Sequence, residues 1–217
     1  IPRYFKGYKF FGHFDFAVLR RMWSYGILNY ISNILWSLPA QLMPILLINF
    51  TAPATAAYFM INWTFINFIL LLPKNVATSM FVEGARDQDR LAQITLNSGL
   101  FIYVGTLPII IIFAIFGDRI VAIFGEEYVN MPVLWLLLLS ILPFTINTLF
   151  VNALRILKQN LRVIVFAGFI TFSSLSMMSL FAITSSIEGF AFGWLLGQSI
   201  SAFLAIIFFA LLFWRPL

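Results

Sequence analysis

The stretch LAQITLNSGLFIYVGTLPIIIIFAIF, residues 91–116, carries no Asp, Glu, Lys or Arg. As a helix it is long enough to cross the hydrocarbon layer of a bilayer, about 30 Å thick. Five further stretches read the same way: 24–50, 57–82, 133–154, 163–184 and 190–213. In lipid every backbone N–H and C=O must pair internally, and long continuous apolar runs select helices over a barrel. The expected fold class is therefore all-α: a polytopic membrane protein with a bundle of six transmembrane helices spanning residues 24–214.

Composition agrees. Hydrophobic residues make up 62% of the chain and charged residues 10%, against about 25% charge in a soluble domain, so the bilayer is the main solvent. Outside the spans there remain a head of residues 1–23, short loops and a short tail, too little for a separate catalytic domain. The expectation is that the chain is not an enzyme. One histidine and no cysteine exclude a Ser/His/Asp set within the spans, thiolate metal sites and disulfides. A phosphate-cradling GxxxxGK[ST] loop is absent too, and no carboxylate lies inside a span to relay protons or sodium. No cofactor and no metal are expected.

The charges set a topology. Arg3, Lys6, Lys9, Arg20 and Arg21 precede the first span, Arg86 and Arg90 fall in the second gap, Arg155, Lys158 and Arg162 in the fourth, and Arg215 after the last. The odd-numbered gaps hold Arg119 alone. This asymmetry predicts both ends of the chain in the cytoplasm of a plasma-type membrane, with outer loops at 51–56, 117–132 and 185–189. It also accounts for the net charge of +5 by headgroup contact, without nucleic acid as a partner. The head is either a basic linker or, over residues 14–23, a short helix lying in the interface. The chain opens on Ile1, and its first residues are already juxtamembrane in character. Further helices upstream are the expectation.

Polar residues inside the spans are the candidate functional groups. Asn29, Asn33, Ser37 and Gln41 recur at every fourth position of span one, and Pro39 and Pro44 predict a bend there. Trp63, Asn67, Lys74 and Thr78 fall on one face of span two, with Pro73 beside the lysine. Thr148, Asn152 and Arg155 share a face of span four. Intramembrane Asn and Gln can be interhelical glue or the lining of a polar groove. Lys74 is the charge placed well inside a span, at a depth where an ammonium costs about 2.5–3.5 kcal/mol unless it finds water or a partner. It either snorkels to headgroups or caps a broken helix, or it lines a cavity that attracts an anion. On the second reading Lys74, Asn67, Asn29, Asn33, Gln41, Asn152 and Arg155 are substrate-cavity residues. Gly193, Gly197, Ser201 and Ala205 repeat at four-residue spacing in span six, a small-residue ridge for close helix packing. The many phenylalanines read as lipid-facing filler.

Three stretches carry a resemblance to a known family. They are LLLPKNVATSMFVEGAR (70–86), IVAIFGEEYVNMPVLWLLLLS (120–140) and the basic helix exit VNALRILKQN (151–160). The head segment LRRMWSYGI (19–27) is similar to a connection between two halves. In order and spacing the chain resembles the C-terminal half of oligosaccharide-lipid flippases of the multidrug/oligosaccharidyl-lipid/polysaccharide exporter superfamily. The resemblance implies a second lobe facing an N-terminal helical bundle across a central cavity. It implies movement of isoprenoid-diphosphate-linked glycans across the membrane by alternating access, with the lipid bilayer and the lipid-linked glycan as partners. Rival readings are a cation-coupled drug or metabolite antiporter of the same superfamily, an integral-membrane glycan-assembly enzyme, and a noncatalytic scaffold.

Overall fold

A computed structural model describes residues 16–129, 131–184 and 187–213. Among the described residues there are helices and no strand. They are α1 (Phe16–Phe50), α2 (Pro53–Ile69), α3 (Leu71–Arg86), α4 (Leu91–Ala122), a 3-10 turn (Glu126–Tyr128), α5 (Met131–Leu139), α6 (Ile141–Ile156), α7 (Asn160–Thr184) and α8 (Ile187–Phe213). Six stretches are long and apolar enough to cross a membrane: Gly26–Phe50, Pro53–Arg86, Leu91–Ala122, Pro132–Ile156, Asn160–Ile183 and Ile187–Phe213. The all-α, six-helix reading of the sequence is thus the fold, and the chain is a multi-pass membrane protein.

Two of the six spans are broken helices, and the breaks share a cause. Leu70 separates α2 from α3 and Ser140 separates α5 from α6. Each lies three residues before a proline, in LLLP (70–73) and SILP (140–143). Proline has no N–H for the carbonyl four residues back, and its ring crowds that carbonyl, so the helix is interrupted just upstream. The backbone stays bonded through each break: Leu70 N donates to Ile66 O at 2.9 Å and Lys74 N to Leu70 O at 3.3 Å, while Ser140 N donates to Leu136 O and Leu137 O at 3.1 and 3.2 Å. Ser140 also ties its break to α8, because its hydroxyl accepts from Trp194 Nε1 at 3.0 Å. Pro39 and Pro44 lie inside α1 and Pro108 inside α4, each within a helix that continues past it.

The two ends of the bundle are sealed differently. At one end Gln88 Nε2 donates to Ile156 O at 3.2 Å, and Leu91, Ile156, Leu157 and Phe213 pack together. This end gathers Arg86, Arg90, Arg155, Lys158 and Arg162. At the other, Asn62 Nδ2 donates to Tyr128 O at 3.2 Å, and the Tyr58 and Tyr128 rings meet edge to face. That clamp holds the segment after α4, where Gly125 adopts φ +135°, a conformation that an L side chain would strain to reach. α4 itself runs on through Asp118 and Arg119 to Ala122, further than the end of the apolar run at Phe116 indicates. Charged residues at a helix end need only reach the interface, so they do not stop the helix.

Packing is densest between α7 and α8. A Cβ on Gly197 would come within 2.5 Å of Ser174 Cα, and one on Gly193 would strike the backbone of Met177. Ser201 and Ser173 hydroxyls meet at 2.8 Å across the same seam. One turn away, Asn147 Nδ2 of α6 donates to Gln198 O and Oε1 at 3.0 and 2.9 Å, and Gln198 Nε2 donates to Ser174 Oγ at 3.1 Å. This three-helix polar cluster is fully buried. The phenylalanines are not all filler: Phe59 and Phe190 are fully buried and meet edge to face at 5.5 Å, and Phe150 meets Phe166 edge to face at 4.8 Å. Residues 1–15 of the head lie outside the described residues; from Phe16 the chain is already α1.

Candidate functional site

Between Leu71 and Val82, themselves exposed, the exposed positions of α3 are all polar. Lys74, Asn75, Thr78 and Ser79 are all exposed, two adjacent stripes at i and i+4. The hydroxyls are partly satisfied within the helix: Thr78 Oγ1 donates to Lys74 O at 3.0 Å and Ser79 Oγ to Asn75 O at 3.3 Å. The Lys74 ammonium stands 5.7 Å from the centroid of the Phe144 ring. A cation over an aromatic face gains about 0.5–2 kcal/mol. Both residues follow the proline of a broken span, so the two interruptions place them together. Lys74 lies twelve residues before the end of α3, about 18 Å from that end at 1.5 Å per residue.

α1 supplies a second polar face. Asn33 and Gln41 are exposed, while Asn29 and Ser37 are half-buried. Gln41 Nε2 donates to Ser37 Oγ at 2.8 Å, and Ser37 Oγ to Ile34 O at 3.1 Å, so the stripe is linked along the helix. The carbonyl of Asn29 accepts from Ser32 Oγ at 2.8 Å.

α6 lies between these faces. Phe144, Thr148, Asn152 and Arg155 recur on one side of it. Near the start of α6 Phe144 meets Trp36 of α1, ring centroids 5.6 Å apart, as well as Lys74 of α3. At its charge-rich end Arg155 Nη2 donates to Asn33 Oδ1 of α1 at 2.7 Å. Asn152 is half-buried between them and donates to Thr148 O at 2.9 Å. α1 and α3 both reach α6 with side chains but form no extended seam with each other. α1 and α3 thus flank this side of α6, and the surface the three present, with Phe144 and Thr148 buried beneath it, is the candidate cleft. One cation, Lys74, stands deep in it, and a second, Arg155, lies about 16 Å along α6 towards the charge-rich end.

Of the residues singled out from the sequence, Arg155 and Asn33 are brought into contact, Lys74 reaches α6 through the Phe144 ring, and Asn152 lies on the same side of α6, while Gln41 and Asn29 are bonded along α1 itself. Asn67 is set apart. It belongs to α2, beyond the Leu70 break, and its amide donates to Trp63 O at 3.0 Å. Trp63 is buried against Trp194, ring centroids 5.1 Å apart. The face drawn through Trp63, Asn67, Lys74 and Thr78 changes character at the Leu70 break: Trp63 is buried and Asn67 half-buried before it, while Lys74 and Thr78 are exposed beyond it. Phe144 and Trp36 join the site without having been picked out, and Asn75 and Ser79 add to the exposed polar positions of α3. The repeat of Leu-Pro-Lys (72–74) in Leu-Pro-Phe (142–144) is the signal that marks Phe144.

The arrangement can draw an anion inward and hold it. Arginine offers a planar fork for a phosphate or carboxylate near the mouth, and lysine a compact point charge further in. Among the described residues no group of three or more His, Cys, Asp or Glu side chains could hold a metal ion. Comparison of the chain with family models, with curated proteins and with solved structures finds no match in any of the three.

Proposed function

We propose that this protein moves an anionic, lipid-linked glycan across the cytoplasmic membrane by alternating access, as one lobe of a flippase. The single observation that carries the reading is Lys74: a cation deep in a span, exposed rather than packed, above an aromatic ring on a polar cleft. A side chain so placed is costly in lipid, by about 2.5–3.5 kcal/mol, and belongs in a water-filled or partnered space. The open side of the cleft would face a second helical bundle, as the resemblance implies. The diphosphate of the carrier would meet Arg155 first and Lys74 second, at the charge-rich and therefore cytoplasmic end. Lysine suits the inner position because a point charge without fork geometry can hold and release a sliding phosphate.

The test is outer-leaflet glycan in a host whose own exporter is disabled and which carries this protein. Lys74→Ala is expected to abolish most export at matched protein level, and Lys74→Arg to retain part of it. Normal export by Lys74→Ala would leave headgroup snorkelling as the better account of the lysine. Topology is checked apart from transport. Gln88→Cys should resist an impermeant thiol reagent in intact cells while Ala54→Cys is labelled, and the reverse pattern would turn the cleft mouth to the outside.

A further inference from the structure

A second concave surface lies on the far flank of α6, facing away from the cleft and built almost wholly from apolar side chains. The small-residue ridge of α8 holds it against α7 as far as Ala205. Beyond that point α8 presents Phe208, Leu211 and Leu212, and the facing part of α7 presents Phe169, Val165 and Leu161. Bulky residues on both sides end the close approach that the glycines allow, and the helices leave a gap of about 740 Å³. Phe150 and Leu154 of α6, both buried, close its floor. Its rims are exposed: Val165, Phe208 and Leu211 are open along their length. Along α7 the gap runs from Arg162 to Phe169, about 10 Å.

Among the described residues one charged side chain lines this groove, Arg162, at its charge-rich end. Its Nη1 donates to Gln159 Oε1 at 2.8 Å, which fixes the plane of the guanidinium at the mouth. Lys158 is exposed one turn away, and no carboxylate lines the groove. A dry furrow with a fixed cation at its headgroup end has the complement of an anionic lipid: hydrocarbon inside, phosphate outside.

We propose that the α6–α7–α8 groove is a selective site for an anionic phospholipid, one acyl chain lying between α7 and α8 and the phosphate resting on Arg162. This does not depend on the flippase reading. An ordinary annular position would accept any headgroup; here the guanidinium discriminates, and the volume falls in the roughly 300–1,000 Å³ range of built small-molecule sites. A bound lipid would also fill the gap that the end of the ridge leaves, and so hold the lower halves of α7 and α8 together.

The experiment uses the purified full chain in neutral detergent, titrated with dioleoyl phosphatidylglycerol or dioleoyl phosphatidylcholine. Retained lipid is counted by native mass spectrometry and the thermal midpoint is followed in parallel. Phosphatidylglycerol should bind in one saturable copy and raise the midpoint, and phosphatidylcholine of the same chains should not. Arg162→Ala should weaken phosphatidylglycerol binding about five-fold and Arg162→Lys much less, in keeping with the value of one basic residue at an anionic surface. Val165→Trp changes an exposed residue, so the fold is kept, but fills the groove and should abolish the saturable copy. Equal retention of both lipids by the unchanged protein would overturn the proposal, as would unaltered phosphatidylglycerol binding in Arg162→Ala and Val165→Trp. Preferential capture of a polyprenyl phosphate over phosphatidylglycerol at equal concentration would overturn the choice of occupant.

Discussion

α3 and α4 are neighbours that both pack against α6, yet their outward faces are opposites. Between the exposed Leu71 and Val82, α3 exposes Lys74, Asn75, Thr78 and Ser79; α4 exposes Leu100, Phe101, Val104, Leu107, Ile111 and Ile115. On the proposed reading one bundle meets two different surroundings. Lipid rewards the α4 face and penalises the α3 face, where each polar group would lose its hydrogen bonds to water. The lesson is that exposure in a membrane protein has to be read together with chemistry. An exposed isoleucine on α4 is ordinary, whereas an exposed asparagine beside a lysine at similar depth marks a surface that lipid does not cover.

The comparison breaks if the two faces respond alike to the same insult. Ile111→Lys places an ammonium against lipid and should cost about 2.5–3.5 kcal/mol, read as failed insertion or loss of folded protein. Asn75→Lys, on the cleft side, should leave the folded yield near that of the parent. Equal loss in both would mean that α3 also faces hydrocarbon. A smaller effect sharpens the contrast between the inside and outside of α8. Gly197→Leu drives a side chain into the α7 backbone and should lower stability by about 1–3 kcal/mol or more, because backbone cannot yield as a side-chain tip can. Phe203→Leu, on an exposed position, should matter little. Matching melting points in detergent would place the ridge outside the seam.

The smallest effect separates polar residues that hold the fold from those that line the cleft. Asn147→Ala removes a buried donor shared by Gln198 and should cost about 0.6–1.7 kcal/mol, in the range of intramembrane hydrogen bonds. Thr78→Ala on the exposed face of α3 should change stability by no more than about 0.5 kcal/mol. A Thr78→Ala loss as large as that of Asn147→Ala would make the α3 face a packing surface.

Much of this architecture is legible in the residues. A bilayer demands about 20 apolar residues per crossing, so all six spans stand out, and the four-residue spacing of Gly193, Gly197 and Ser201 marks a seam before any partner is known. The breaks at Leu70 and Ser140 are not legible in the same way. Pro39, Pro44 and Pro108 carry the same local penalty without ending their helices, and tertiary packing decides which prolines interrupt. Helical spacing alone puts Asn67 and Lys74 on one face, and does not reveal that burial changes between them. Phe144 and Trp36 were hidden among 26 phenylalanines and 6 tryptophans, since aromatic composition does not separate a ring under a lysine from one in lipid. The Asn147–Gln198 pairing spans 51 residues and follows from helix arrangement, not from any local pattern.

The central claim is that the α3 face is wet and the α4 face is not. The chain has no cysteine, so single cysteines report without background. Thr78→Cys and Val104→Cys, both at exposed positions within spans, are compared by their rate of reaction with a small water-soluble maleimide in native membranes of the full protein. The thiolate that reacts forms only where water reaches the sulfur. The account predicts that Thr78→Cys is labelled readily and Val104→Cys scarcely at all. Equal silence at both positions, or faster reaction at Val104→Cys, would contradict it.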